Sequence, residues 1–104
     1  MQRVAFTMKL KPGFEEEYRR RHDEIWPELS ALLRDAGISD YSIFLDPESL
    51  VLFAVQKLAP GNKASTLSST ALMRRWWEYM KDLMDTNPDS SPVCKDLVEV
   101  FHLD

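Results

Sequence analysis

The chain has 104 residues, 44% hydrophobic and 29% charged, with a formal net charge of −4 from 17 acidic and 13 basic side chains. That composition fits one globular domain over residues 1–104, with a real but thin core. It argues against nucleic acid or an anionic membrane surface as partner, because the basic residues are scattered and Arg19-Arg20-Arg21 is flanked by acids.

Residues 2–10 alternate Val4, Phe6, Met8 and Leu10 against Arg3, Ala5, Thr7 and Lys9, the period of a half-buried strand. Pro12-Gly13 ends it, and a long helix begins near Phe14. Phe14, Tyr18, His22, Ile25, Trp26 and Leu29 recur at three and four along one face of that helix. Glu15, Glu16, Arg19, Arg20 and Asp23 fall on the other, a solvated face with pairs such as Glu15 and Arg19. Pro27 removes a backbone hydrogen bond, so the helix kinks or restarts near Trp26 with Pro27 in the first turn. Gly37 stops it after Ala36.

DYSIFLD at 40–46 alternates Tyr41, Ile43 and Leu45 against Ser42 and Phe44. A turn at Asp46-Pro47-Glu48-Ser49 leads into VLFAVQKL at 51–58, which makes a hairpin. Residues 59–68 are weakly structured by composition, with room for a short helical turn after Gly61. Ser69 or Thr70 can cap a second helix over 71–84, which ends before Asn87-Pro88. TNPDSSPV reads as a loop and DLVEVFHL at 96–103 as a last strand. No segment approaches the roughly 20 apolar residues of a membrane span, and none reads as a cleavable leader. Cys94 is the only cysteine, which excludes an internal disulfide and points to a reducing cytoplasm.

Strand, helix, strand, strand, helix, strand is the order of the split βαβ, ferredoxin-like α+β fold, βαββαβ. Its two helices cover one sheet face, yet Val51, Leu52, Phe53, Ala54 and Val55 make the third strand apolar on both sides, and Phe44 backs Ile43 on the second. The exposed face therefore calls for a cover, and the simplest is a second copy. The expected assembly is a two-fold homodimer with sheets face to face, a dimeric α+β barrel.

His22 is the residue most in conflict with its surroundings, an ionisable ring on an apolar stripe that needs a partner or a purpose. One reading is a buried histidine satisfied by a backbone carbonyl; the other is a proton donor and acceptor, favoured by Tyr18 and Trp26 one turn to either side. Trp76 and Trp77 share a helix with Met73, Met80 and Met84, which reads first as a core stripe. Adjacent positions point about 100° apart, however, so one indole packs and the other lines an opening suited to a sugar ring. Tyr18 and Tyr41 offer hydroxyls, as rim residues or as ligand contacts. Asn87, Asp89, Ser90 and Ser91 read as turn chemistry before a lid. His102 falls in register with Val98 and Val100 and reads as structural. His22 and His102 lack a third ligand at metal-binding spacing, and no glycine-rich phosphate loop or nucleophile elbow occurs.

EEYRRRH at 16–22, IWPEL at 25–29, Tyr41 in DYSIFLD, RWWEYM at 75–80, NPDSSPV at 87–93 and VFHL at 100–103 together resemble the L-rhamnose mutarotase family, in order and spacing over nearly the whole chain. The resemblance implies a dimeric α+β barrel that exchanges the anomers of L-rhamnose without metal or organic cofactor. It implies His22 as proton donor, and Tyr18, Tyr41, Trp76 and Trp77 as sugar contacts. Residues 59–68 depart from the family, with Gly61 and Asn62 where a more helical, aromatic-containing segment is usual. Two rivals share the architecture: a haem-binding or cofactor-free oxygenase with His22 as axial ligand, and a non-catalytic sugar-binding module.

Overall fold

The computed structural model describes residues 1–104. β1 (Gln2–Lys9) leads into α1 (Glu15–Asp23) and α2 (Pro27–Asp35), then the hairpin of β2 (Ile38–Leu45) and β3 (Val51–Leu58). A 3-10 helix at Ala64–Ser69, α3 (Ala71–Met80), a 3-10 turn at Lys81–Leu83 and β4 (Lys95–Asp96) complete the chain. The strands form one antiparallel sheet in the order β2-β3-β1-β4, the α+β arrangement expected from the sequence.

Local chemistry explains the helix boundaries. The interruption at Trp26 is a full restart: Trp26 is extended at φ −59 and ψ 130, and Pro27 opens α2 where a missing N–H costs nothing. Gly37 ends α2 at φ +92, and a Cβ there would stand 2.9 Å from the Asn62 Cβ, so the 59–63 loop passes too close for a side chain. Thr70 caps α3, its hydroxyl accepting from the Met73 amide at 3.3 Å. Replacing it, Thr70→Ala, should cost about 1 kcal/mol, read as a lower denaturant midpoint at unchanged slope. The second helix is shorter than its apolar pattern over 71–84. Met84 turns extended to bridge Leu10, which buries both side chains and ends the helical run.

Register decides which side chains meet. Phe6 opposes Ala54 and Met8 opposes Leu52 on the helix side of the sheet, where Leu29, Met73 and Met80 close the core. In β2 a bulge sets Asp40 and Tyr41 together against Gln56, since Ser39 opposes Lys57 and Ser42 opposes Val55. Asp40 takes the left-handed φ of 48 that the bulge needs. Without the extra residue Ile38 and Tyr41 would face opposite sides. With it, both look toward the helices. The outer face carries no cover within the chain, and Phe44 and Phe53, paired across it, are 63% and 39% exposed.

The expected last strand over 96–103 is not formed. Only Lys95 and Asp96 join β1, with one further bond from the Leu97 amide to the Ala5 carbonyl at 3.0 Å. Val98, Val100 and Phe101 beyond it are 85%, 92% and 77% exposed. Alternation along DLVEVFHL records a demand for burial, and this chain has no second layer there to meet it. His102, read as part of that strand, instead sits in the exposed tail with Nε2 2.8 Å from an Asp104 carboxylate oxygen.

Candidate active site

Between the sheet and the helices lies a hollow of about 1210 Å³. Tyr18 and His22 reach it from α1, Tyr41 and Gln56 from the bulge region of β2 and β3, and Trp76 and Trp77 from α3. All five residues singled out in the sequence therefore share one cavity. Spacing on α1 and α3 turns their stripes to the sheet, and the bulge turns Tyr41 to meet them.

His22 is half-buried, with Nδ1 3.0 Å from the Tyr18 carbonyl oxygen. A carbonyl only accepts, so Nδ1 carries the hydrogen and Nε2 of the neutral ring keeps its lone pair. The Tyr18 ring lies 4.4 Å away at a tilt of 32°, and Trp76 presents its indole at 90° and 5.5 Å. Burial lowers the imidazole pKa from its ordinary 6.5, with the Tyr18 carbonyl opposing that shift. The ring is thus neutral at pH 7. The carbonyl partner of the first reading is present at Nδ1, and Nε2 makes no hydrogen bond within the chain.

Burial also pushes the Tyr18 phenol well up, and that of Tyr41 to about 12, the Gln56 amide beside it pulling the other way. Both stay protonated and can donate. Tyr18 is 8% exposed, whereas Tyr41 keeps 38% of its surface open. Trp76 is buried against Trp26, 5.1 Å away and nearly perpendicular, and against Tyr79 at 5.7 Å. Trp77 is half-buried. The two indoles split in burial as expected, though Trp76 reaches the cavity wall as well as the core.

Ser90 and Pro92 bring the loop before β4 to the cavity rim. The loop is closed on itself by the Asn87 amide donating to the Ser91 carbonyl at 2.7 Å, and tied to α3 by the Ser90 hydroxyl donating to a Glu78 carboxylate oxygen at 2.8 Å. Turn composition concealed that placement. Sequence reasoning also missed Tyr79, which packs on Trp26 and Trp76, and Arg21, which lies over the Tyr79 ring; Tyr79 could have been found three residues after Trp76, on the same helix face.

A lone-pair nitrogen, two phenols and flat indole walls around one water-accessible hollow define a class: a small α+β protein equipped to hold a polyol ring and move its protons. The sequence profile described as L-rhamnose mutarotase matches residues 3–103. A protein of Flavobacterium johnsoniae named L-rhamnose mutarotase is 64% identical over 102 residues, covering 98% of this chain and 95% of its own. One of Acidiphilium cryptum with the same name is 57% identical over 103 residues, covering 99% of each. The crystal structure of the L-rhamnose mutarotase of Formosa agariphila superposes with a TM-score of 0.94 at 45% identity, over the full length of both chains. The chain belongs to the L-rhamnose mutarotase family. That membership sets aside the oxygenase and the non-catalytic binding module.

Proposed function

We infer that the protein interconverts the α and β anomers of L-rhamnose, with His22 as the residue that moves the proton. The observation that carries the residue assignment is an imidazole that lines the hollow, with Nδ1 bound to the Tyr18 carbonyl and Nε2 free of any hydrogen bond within the chain. Mutarotation breaks the bond between C1 and the ring oxygen, which must gain a proton as the anomeric hydroxyl loses one. Both oxygens are attached to C1, so a single nitrogen can serve each in turn. Neutral His22 takes the hydroxyl proton, delivers it to the ring oxygen, and reverses both steps after rotation about C1–C2. Tyr18 and Tyr41, protonated at neutral pH, donate to sugar oxygens, and Trp76 and Trp77 hold the ring's C–H faces. The test is saturation-transfer NMR between anomers of L-rhamnose: exchange no faster with protein than in buffer would end the proposal. Selection by the sugar's methyl group is worth about 1–3 kcal/mol, so related aldoses should exchange more slowly and still measurably.

The acid side of the rate profile follows from the histidine. Its lowered pKa places the midpoint of the low-pH fall in kcat/KM below 6.5. The folded protein also takes up this proton less readily than the unfolded chain, so the stability His22 contributes is present above pH 6.5 and lost as pH falls through the folded pKa. A rate profile with its acid midpoint above 6.5 would contradict both statements.

The homodimer is part of this reading. The Phe44–Phe53 patch and the exposed apolar residues of the tail are what a second copy would cover. The hollow also exceeds the roughly 300–1,000 Å³ of usual small-ligand sites, which leaves space for more than one sugar. A monomer by light scattering at micromolar concentration would refute the dimer. No helix is long and apolar enough to cross a membrane, and the single thiol suits the cytoplasm.

A further inference from the structure

Arg21 stands next to His22 in α1 but takes no part in lining the hollow. Successive helix positions diverge by about 100°, which sends the guanidinium away from the cavity and onto the end of α3. Its Nη1 donates to the Tyr79 carbonyl at 2.5 Å and to Asp82 Oδ1 at 3.1 Å, and Nη2 to Asp82 Oδ2 at 3.3 Å. Nε donates to Glu17 within α1 at 2.8 Å, and the guanidinium lies 4.4 Å over the Tyr79 ring. The Arg21 side chain is only 12% exposed, while the Asp82 carboxylate it grips is 59% exposed, so the fork geometry and the several partners, more than burial, set this tie apart from a lone surface pair.

What this holds together is specific. α1 is nine residues long and has no side-chain cap at its N-terminus. Of all its hydrogen bonds, only those of Arg21 reach another element. Tyr79, gripped at its carbonyl and its ring, packs on Trp76 at 5.7 Å, and Trp76 meets His22 edge-on at 5.5 Å. Arg21, Tyr79, Trp76 and His22 thus close a loop of contacts, completed by the backbone between residues 21 and 22. Apolar packing alone is non-directional and permits sliding along the helix face; a forked guanidinium on a carboxylate and a helix-end carbonyl does not.

We propose that Arg21, clamped on Asp82 and the Tyr79 carbonyl, is a positioning residue that sets the distance of the His22 imidazole from the Trp76 wall of the sugar site. The proposal rests on His22 as the proton carrier. A positioning role differs from a structural one in what its loss does to molecules that remain folded. A slackened α1 lets the imidazole swing and admits water to it, which impairs proton transfer more than sugar binding.

The test compares Arg21→Gln, Arg21→Lys and Asp82→Asn with the unaltered protein, at a temperature where circular dichroism shows each folded. Arg21→Gln should lower kcat for L-rhamnose anomer exchange about ten- to hundredfold, with KM within about twofold, because no sugar contact is removed. The NMR titration midpoint of His22 should rise toward 6.5 as the ring becomes hydrated. Lysine, a point charge without the fork, should restore only part of the rate. Asp82→Asn opens the clamp from the other side and carries the test should Arg21→Gln fail to fold. Unchanged kcat and an unmoved His22 titration in folded variants would overturn the proposal and leave Arg21 a structural tie. The titration needs no substrate, so it judges the clamp even if the unaltered protein proves not to exchange L-rhamnose, the result that would sink the function instead.

Discussion

His22→Ala should slow L-rhamnose anomer exchange by about 10²–10⁴-fold, the span a positioned general acid–base contributes, while the protein stays folded. The fold should survive because His22 is half-buried, neutral, and bonded only to the carbonyl of its own helix at 3.0 Å. That carbonyl already accepts within α1, so losing the imidazole strands no buried charge. The variant also leaves a gap beside Trp76 that is open to the hollow. Added imidazole should therefore recover part of the rate. Saturation transfer between the anomer signals measures both effects in one sample. A variant that exchanges as fast as the unaltered protein removes His22 from the mechanism, and Tyr41, on the sheet side of the same hollow, then becomes the next candidate.

Trp76→Ala is expected to cost about 3–5 kcal/mol of stability, the usual loss for a buried indole cut to a methyl, and to abolish exchange in whatever remains folded. Domains of this size hold only about 5–15 kcal/mol in total, so the variant sits close to unfolding. The magnitude follows from the packing: Trp76 is 8% exposed and touches His22, Trp26 and Tyr79 at ring distances of 5.5, 5.1 and 5.7 Å. Truncation opens a void next to the imidazole as well as in the core. Trp77→Ala makes the contrast, since that indole is half-buried; it should weaken sugar binding and spare most of the stability. Guanidinium unfolding of both variants distinguishes the two roles. A Trp76→Ala midpoint within error of the unaltered protein would show that this indole is not part of the core.

Much of this was legible in one dimension. Alternation at 2–10, turn residues at 46–49 and the stripe from Phe14 to Leu29 gave the order of elements, because strand and helix periods are local consequences of backbone geometry. Pro27 marked the helix restart for an equally local reason. The same stripe singled out His22, since an ionisable ring among apolar neighbours is conspicuous in any helical projection. The bulge at Asp40–Tyr41, the short α3 and the vanished last strand were not legible. Each depends on what another segment offers: Gln56 across the ladder, Leu10 as bridge partner for Met84, and nothing within the chain for Val98 and Val100.

Sequence by itself therefore determined the kinds of element, their order, the apolar faces and the ionisable ring that stands out among them, all of which are set within a few bonds or one helical turn. Tertiary structure alone decided which nitrogen of His22 is free, how burial holds that ring neutral, which indole is core, and that Arg21 reaches across to Asp82 and the end of α3. Those outcomes turn on distances between segments far apart in the chain. Such distances come from packing and register, and no local pattern encodes them.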